Sequence, residues 1–259
     1  MEYDLKYLEL IREALDSEVI VTGRNGSIKP LINKTIEIDL AKGFPVITTK
    51  KILWKKAIAE FCWIAQGRSD LKFLNENKIN WWDSWADEKN NIPKSYGYQL
   101  RNYNNEVDQI KYVIEELNSQ EHSRRAYMTL WNPSDLYDQS LPCCYTGFNF
   151  YKIGEELHTV MNFRSSDIFL GLPFDIIVGA MFAHYIASQT GLTPRKLHLS
   201  IANAHLYMEH EEAAKELAKR LPCIAVPNLL VEEWETLSPE SFHIVNYEHN
   251  EFIKAPLIC

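Results

Sequence analysis

Apolar residues recur at helical spacing from Tyr3 to Leu15, so the chain opens on an amphipathic helix. From Ser27 to Leu40 the pattern changes to alternation, most clearly in TIEIDL, as a strand or hairpin requires. The segment WKKAIAEFCWIAQ, Trp54 to Gln66, is mostly apolar and stops at Gly67, a residue suited to ending a helix; the spacing predicts a buried helix. A short helix is expected over Asp70 to Asn77. It leads into the aromatic stretch NWWDSWAD, and a second amphipathic helix is expected over Val107 to Asn118. Three strand-like runs follow: RRAYMTLWN, CCYTGFNFYK and ELHTVMNFRSS. Beyond PFD the pattern predicts a long apolar helix from Ile176 to Thr190, ended by Gly191. KLHLSIANAHLY then reads as a strand, Met208 to Arg220 as a helix, and FHIVNY as the last strand.

Strands clustered in mid-chain, without regular alternation with helices, describe an α+β domain in which helices pack on one mixed sheet. No Pro/Gly/Ser-rich linker, low-complexity tract or repeat divides the chain, so all 259 residues are expected to form a single domain. There is no G-x-G-x-x-G and no P-loop. No apolar run reads as membrane-spanning, and the charged first helix is unlike a targeting segment, so no membrane partner is expected.

At 46% hydrophobic and 24% charged residues the chain has the composition of a folded globule. Its formal net charge of −8 argues against a DNA-binding surface, so any anionic ligand must be held by a local cluster of arginines. The five cysteines, Cys62, Cys143, Cys144, Cys223 and Cys259, are odd in number and show no C-x-x-C pair; they read as free thiols of a cytoplasmic protein. The histidines lie at no usual ligand spacing, so no metal is expected.

Cys144 in LPCCYT follows a proline at a strand mouth, where a thiol can sit at a cleft edge and act as a nucleophile. A buried structural cysteine is the bland alternative, and no histidine follows it; the next residue is Tyr145. Arg24, Arg124, Arg125 and Arg164 are the cationic candidates. Arg164 in NFRSSD is the kind of grouping that holds a phosphate monoester, whereas Arg124 and Arg125 also read as a solvated pair. NWWDSWAD offers either core packing or a flat surface for a heteroaromatic ligand.

Taken together, GFPVITTKK, AEFCWIAQG, WWDSWADE, SYGYQLR, SRRAYMTLWNP, LPCCYTGFNFY, RSSDIFLGLPFDI, NAHLYMEH and IKAPLI resemble the thymidylate synthase superfamily nearly end to end. The resemblance implies that fold, a pyrimidine nucleoside monophosphate as substrate, 5,10-methylenetetrahydrofolate as cosubstrate, and a homodimer with shared active sites. Cys144 falls on the family's nucleophile, Glu60 on its water-organising carboxylate, and Tyr96 on the tyrosine near the proton leaving C5. Arg164 and Ser165 match phosphate contacts within the subunit, and Arg124 and Arg125 match the pair supplied across the dimer. Arg24 matches a further phosphate ligand, in a loop one residue shorter than the pattern. His205 and Tyr207 match residues that bind the sugar 3′-hydroxyl. Trp82, Trp85, Asp167, Gly171 and Phe174 match the folate pocket, with Lys50 near the polyglutamate tail, and IKAPLIC resembles the segment that closes over the ligands.

One departure changes the expected base. The family's P-F-N is P-F-D here, so Asp175 stands where an asparagine accepts from N3–H and donates to O4 of uracil. Cytosine presents the reverse pattern, and a carboxyl group that accepts from N4–H and shares a proton with N3 matches it. The plain alternative is that Asp175 caps a helix starting at Ile176. Tyr145 replaces the usual histidine, Phe163 the usual glutamine and Asn203 the usual aspartate. The pattern is closest to cytosine-nucleotide hydroxymethylases acting on CMP or dCMP. Methylation of dUMP is the first alternative and a non-catalytic nucleotide-binding homodimer the second.

Overall fold

The computed structural model describes residues 2–119 and 122–258; Cys259, the last residue of the expected closing segment, lies outside them. In chain order the elements are α1 (Glu2–Asp16), β1 (Val21–Gly23), β2 (Gly26–Asp39), α2 (Trp54–Ala65), α3 (Leu71–Glu76), α4 (Tyr96–Arg101), α5 (Gln109–Ser119) and β3 (Tyr127–Thr129). They continue with β4 (Tyr145–Ile153), β5 (Glu156–Phe163), β6 (Ser166–Asp167), α6 (Gly171–Thr190), β7 (Thr193–Tyr207), α7 (Glu211–Ala218), β8 (Asn228–Val231) and β9 (Phe242–Val245). The fold is α+β, as the pattern predicts.

The main sheet has the order β1-β2-β7-β5-β4-β3, with β6 also on β7. β5 and β6 run parallel to β7 while the other neighbours are antiparallel, so the sheet is mixed. β8 and β9 form a separate two-stranded sheet. FHIVNY is therefore a strand, but its partner is the short NLLV segment that alternation did not single out. Likewise the expected helix over Met208 to Arg220 is a 3-10 turn, Met208–His210, followed by α7.

Alternate residues of β5 are buried, among them Leu157, Thr159, Met161 and Phe163, and the helices pack on that face. α6 is the centre of the core and apolar nearly all round, the composition of a helix with neighbours on every side. Phe182 of α6 packs at 5.0 Å between ring centroids on both Phe61 of α2 and Phe148 of β4, which ties the helix layer to the sheet. By length and composition alone α6 is able to cross a membrane, which corrects the expectation that no run is long enough; 72% of its most apolar stretch is buried inside the fold.

α6 begins at Gly171 rather than Ile176 because Pro173 sits in its first turn, where a missing N–H costs no hydrogen bond. The N-cap position is Leu170, and Asp175 lies inside the helix. The capping role for Asp175 is thereby ruled out. The far end follows expectation: Gly191 adopts φ 68° and donates its N–H to the Ala187 carbonyl.

Because Phe61 is fully buried and is the aromatic bridge between α2 and α6, Phe61→Ala should destabilise the fold by about 3–5 kcal/mol. Thermal denaturation is the measurement; an unchanged midpoint would contradict the packing described.

Candidate active site

Cys144 immediately precedes β4, at an irregularity in the ladder. The register with β5 slips between Tyr145 and Gly147, a bulge of the kind that re-aims side chains at a strand end. Gly147 is required there, because a Cβ would stand 2.5 Å from the Tyr127 hydroxyl and 2.7 Å from the Met128 carbonyl oxygen. On the facing strand Arg164 and Ser165 leave the β7 ladder between β5 and β6. The Arg164 backbone N–H still donates to the Cys144 carbonyl at 3.0 Å. Its guanidinium turns back to the Cys143 carbonyl (Nε, 2.9 Å) and the Pro142 carbonyl (Nη2, 2.7 Å), with Cys144 Sγ 3.9 Å from Nη2. The Tyr96 hydroxyl, at the start of α4, accepts from the Cys144 backbone N–H at 2.7 Å. These bonds fix the loop that carries the thiol. Burial pushes the Cys144 thiol up, and the Arg164 charge pulls it back.

Two acids face this loop. Glu60 of α2 receives both Trp81 Nε1 (3.2 Å) and Trp82 Nε1 (2.5 Å) on the single oxygen Oε1. Burial raises the Glu60 carboxyl, and the two indole donors oppose that. Asp175 is raised well above the ordinary carboxylate range by burial, by the charge of Glu60 and by that of Asp167, and no donor among the described residues compensates it. The indole donors sit on Glu60, so its charged form is supported while that of Asp175 is not, and the protonated form of Asp175 is the one its surroundings favour. Tyr145 feels both acids and Cys144. Its ring packs against Tyr96 with 4.4 Å between centroids and against Phe163 at 6.0 Å.

β7 supplies the next wall. His205 and Tyr207 lie on one face of the strand with rings at 5.1 Å, and Asp167 pairs in register with His205. Burial lowers the His205 pKa, so the imidazole is neutral, and burial keeps the Tyr207 hydroxyl protonated. His205 Nδ1 and Asn203 Oδ1, two residues apart on this strand, are buried without a partner among the described residues, so this edge suits a ligand with hydroxyl groups. Asp167 Oδ1 accepts from the Phe169 (2.9 Å) and Leu170 (3.4 Å) backbone N–H groups. His210 stands 3.7 Å from the same oxygen, and its Nε2 bonds the Pro256 carbonyl at 2.8 Å. His210 thus links IKAPLIC to Asp167, a role that A-H-L-Y spacing did not suggest.

The remaining expected residues are distributed unevenly. A Cβ on Gly171 would stand 3.7 Å from Asp167 Cβ and 3.9 Å from Asp175 Oδ2, so it borders both acids. Phe174 meets Trp81 edge-on at 5.4 Å, and Trp85 lies under the Arg24 guanidinium at 5.9 Å. Ser165 is half-buried beside Arg164. Lys50 is not on an open groove: it is 4% exposed, its Nζ bonds the Phe169 carbonyl, and desolvation lowers it to about 7. Lys51, Lys55, Lys56 and Lys78 line the nearby open cleft instead. Arg124 and Arg125 are exposed and lie away from Cys144 in their own chain. Tyr127 pairs with Asn149, and continuing back to Arg125 at ~3.4 Å per residue places the pair roughly 20 Å along the strands from the thiol. Among the described residues no group of His, Cys, Asp and Glu side chains is placed to hold a metal ion.

Two measurements follow from these electrostatics. Iodoacetamide should label Cys144 with a rate that keeps climbing through the ordinary thiol range, because its thiolate forms only above it; a plateau near the ordinary value would contradict the burial. A carboxyl raised on folding contributes stability that is present below its unfolded pKa and lost as pH rises toward the folded value. Asp175→Asn removes that loss, so its melting temperature should gain on the native protein as pH increases from about 4 upward. A difference independent of pH would place the proton elsewhere.

Assembled here are a thiol at a strand mouth, an arginine beside it, a carboxyl group raised by burial and unpaired buried polar atoms. The family model described as thymidylate synthase matches residues 5–259, which takes in all but the first three residues of α1 and every later element. Family members transfer a one-carbon unit from methylenetetrahydrofolate to a pyrimidine nucleotide, and this chain belongs to the thymidylate synthase family.

Proposed function

We propose that this protein is a cytoplasmic, homodimeric 5-hydroxymethylase of a cytosine nucleoside monophosphate, CMP or dCMP. The observation that carries the reading is an aspartate, Asp175, set inside α6 where the family pattern has asparagine, with its carboxyl raised by burial and by the charges of Glu60 and Asp167. A neutral carboxylic acid donates to N3 and accepts from N4–H, which matches cytosine; uracil offers a donor where the acid also donates.

In this reading Arg24, Arg164 and Ser165 hold the phosphate, and His205 and Tyr207 hold the sugar. Cys144 adds to C6, and Asp175 stabilises the charge developing on N3. Tyr96 and ordered water assist removal of the C5 proton. The folate, against Trp82, Trp85, Asp167, Gly171 and Phe174, supplies a one-carbon unit at the oxidation level of formaldehyde. Water, ordered by Glu60, then completes the hydroxymethyl group. Arg124 and Arg125 serve the partner's site, which their separation from Cys144 in their own chain supports. The uncovered sheet face supports a dimer too: Val160, Asn162 and Ser200 lie there and are only half-buried.

Incubating the protein with methylenetetrahydrofolate and CMP, dCMP or dUMP in parallel, and weighing the products, tests the reading. A cytosine nucleotide heavier by CH2O is expected; a dUMP product heavier by CH2, with CMP and dCMP inert, would make the protein a thymidylate-forming methylase. Asp175→Asn should move the preference from cytosine toward uracil nucleotides by roughly 100-fold or more. Cys144→Ala should bind nucleotide and release no C5 tritium, and retained release would exclude the nucleophile.

A further inference from the structure

Trp81 has a contact that the nucleotide and folate roles do not use. Its indole donates to the same Glu60 oxygen that accepts from Trp82, so two N–H groups converge on Oε1. The Trp81 ring is held in that orientation by Phe174, edge-on at 5.4 Å with a 76° interplanar angle, and by Lys56 Nζ 5.4 Å over its face. Among the described residues none donates to Oε2.

We propose that Trp81 is a positioning residue for the chemical step, its N–H holding the Glu60 carboxyl group rotated so that Oε2 is the base for the attacking water. A carboxylate with two donors on one oxygen cannot turn without breaking both bonds, so Oε2 keeps one direction. The same donors favour the charged form of Glu60 against the burial that raises it. The assignment rests on the hydroxymethylase reading only in its last step, where water is the nucleophile. There the water oxygen bonds the exocyclic methylene carbon while its proton passes to Oε2. The C=C electron pair moves to C5, delocalised toward N3 opposite Asp175. It then re-forms C5=C6 as the C6–S bond breaks and returns the Cys144 thiolate. The proton on Glu60 is released to solvent.

Trp81→Phe keeps the ring against Phe174 and removes the N–H. Loss of one hydrogen bond to a charged acceptor should raise the Glu60 titration by about one pH unit. The acid limb of product formation moves by the same amount, giving roughly tenfold slower turnover at its acid end and about twofold or less at its alkaline end. Nucleotide affinity should not change. Infrared titration of the resting protein, with Glu60 assigned through Glu60→Gln, reads the shift without turnover. If the Phe variant does not fold, Trp81→His, which returns a ring N–H, carries the comparison and should lie near the native limb. A pH-independent loss of rate, or an unmoved Glu60 titration, would overturn the assignment. A methylated dUMP product would sink the hydroxymethylase reading while leaving the Glu60 titration to judge Trp81 on its own.

Discussion

The charge of Glu60 acts on Asp175, and the electrostatics of the site depend on how unequally the two acids are supported. Glu60 is supplied with two indole donors and Asp175 with none among the described residues. Negative charge is therefore better supported on Glu60 than on Asp175. In the proposed function this inequality separates the group that reads the base from the group that orders water. An asparagine in place of Asp175 would offer fixed donors and acceptors and would leave Glu60 without an acidic neighbour there.

The scaffold brings these groups together through breaks in regular structure. β4 is interrupted by a bulge just after the thiol, and the β7 ladder is interrupted where Arg164 and Ser165 turn out of it. α6 begins early enough to carry Asp175 inside its second turn. Each irregularity occurs at a residue of the candidate site, while the strands and helices beyond are well packed. Rigid elements with local exceptions at their ends are how a sheet presents a nucleophile, a cation and an acid to one cleft.

Much of the architecture was legible in the sequence because it is periodic. The strand alternation of Ser27 to Leu40 and the apolar run ending at Gly191 have direct counterparts in β2 and α6. The start of α6 was not, since Pro173 reads as a break although a first helical turn tolerates it. β8 escaped notice because four residues are too short for alternation to register. At the site, Cys144, Arg164 and Asp175 were visible as residue types in a family-like order. The upward shift of the Asp175 carboxyl was not, because desolvation and a neighbouring charge are properties of the folded arrangement. The aromatic cluster was equally visible, yet nothing in NWWDSWAD says that two adjacent indoles, in a turn rather than a helix, converge on one carboxylate oxygen. Lys50, which the resemblance sets near the polyglutamate tail, is buried with its Nζ on the Phe169 carbonyl.

The ladder between β2 and β7 has a consequence for the birth of the protein. It sets Ile28 opposite Tyr207 and Asp39 opposite Lys196, so an early strand waits for one made much later. His210 then bonds the Pro256 carbonyl, later still. A ribosome must therefore release the chain beyond Pro256 before these contacts can all form, and the partly made chain holds an unpaired β2 edge in the interval. Folding is governed by long-range pairing and is correspondingly slow. During synthesis the exposed strand, rather than the chemistry, is the point at which the molecule most needs protection from its neighbours.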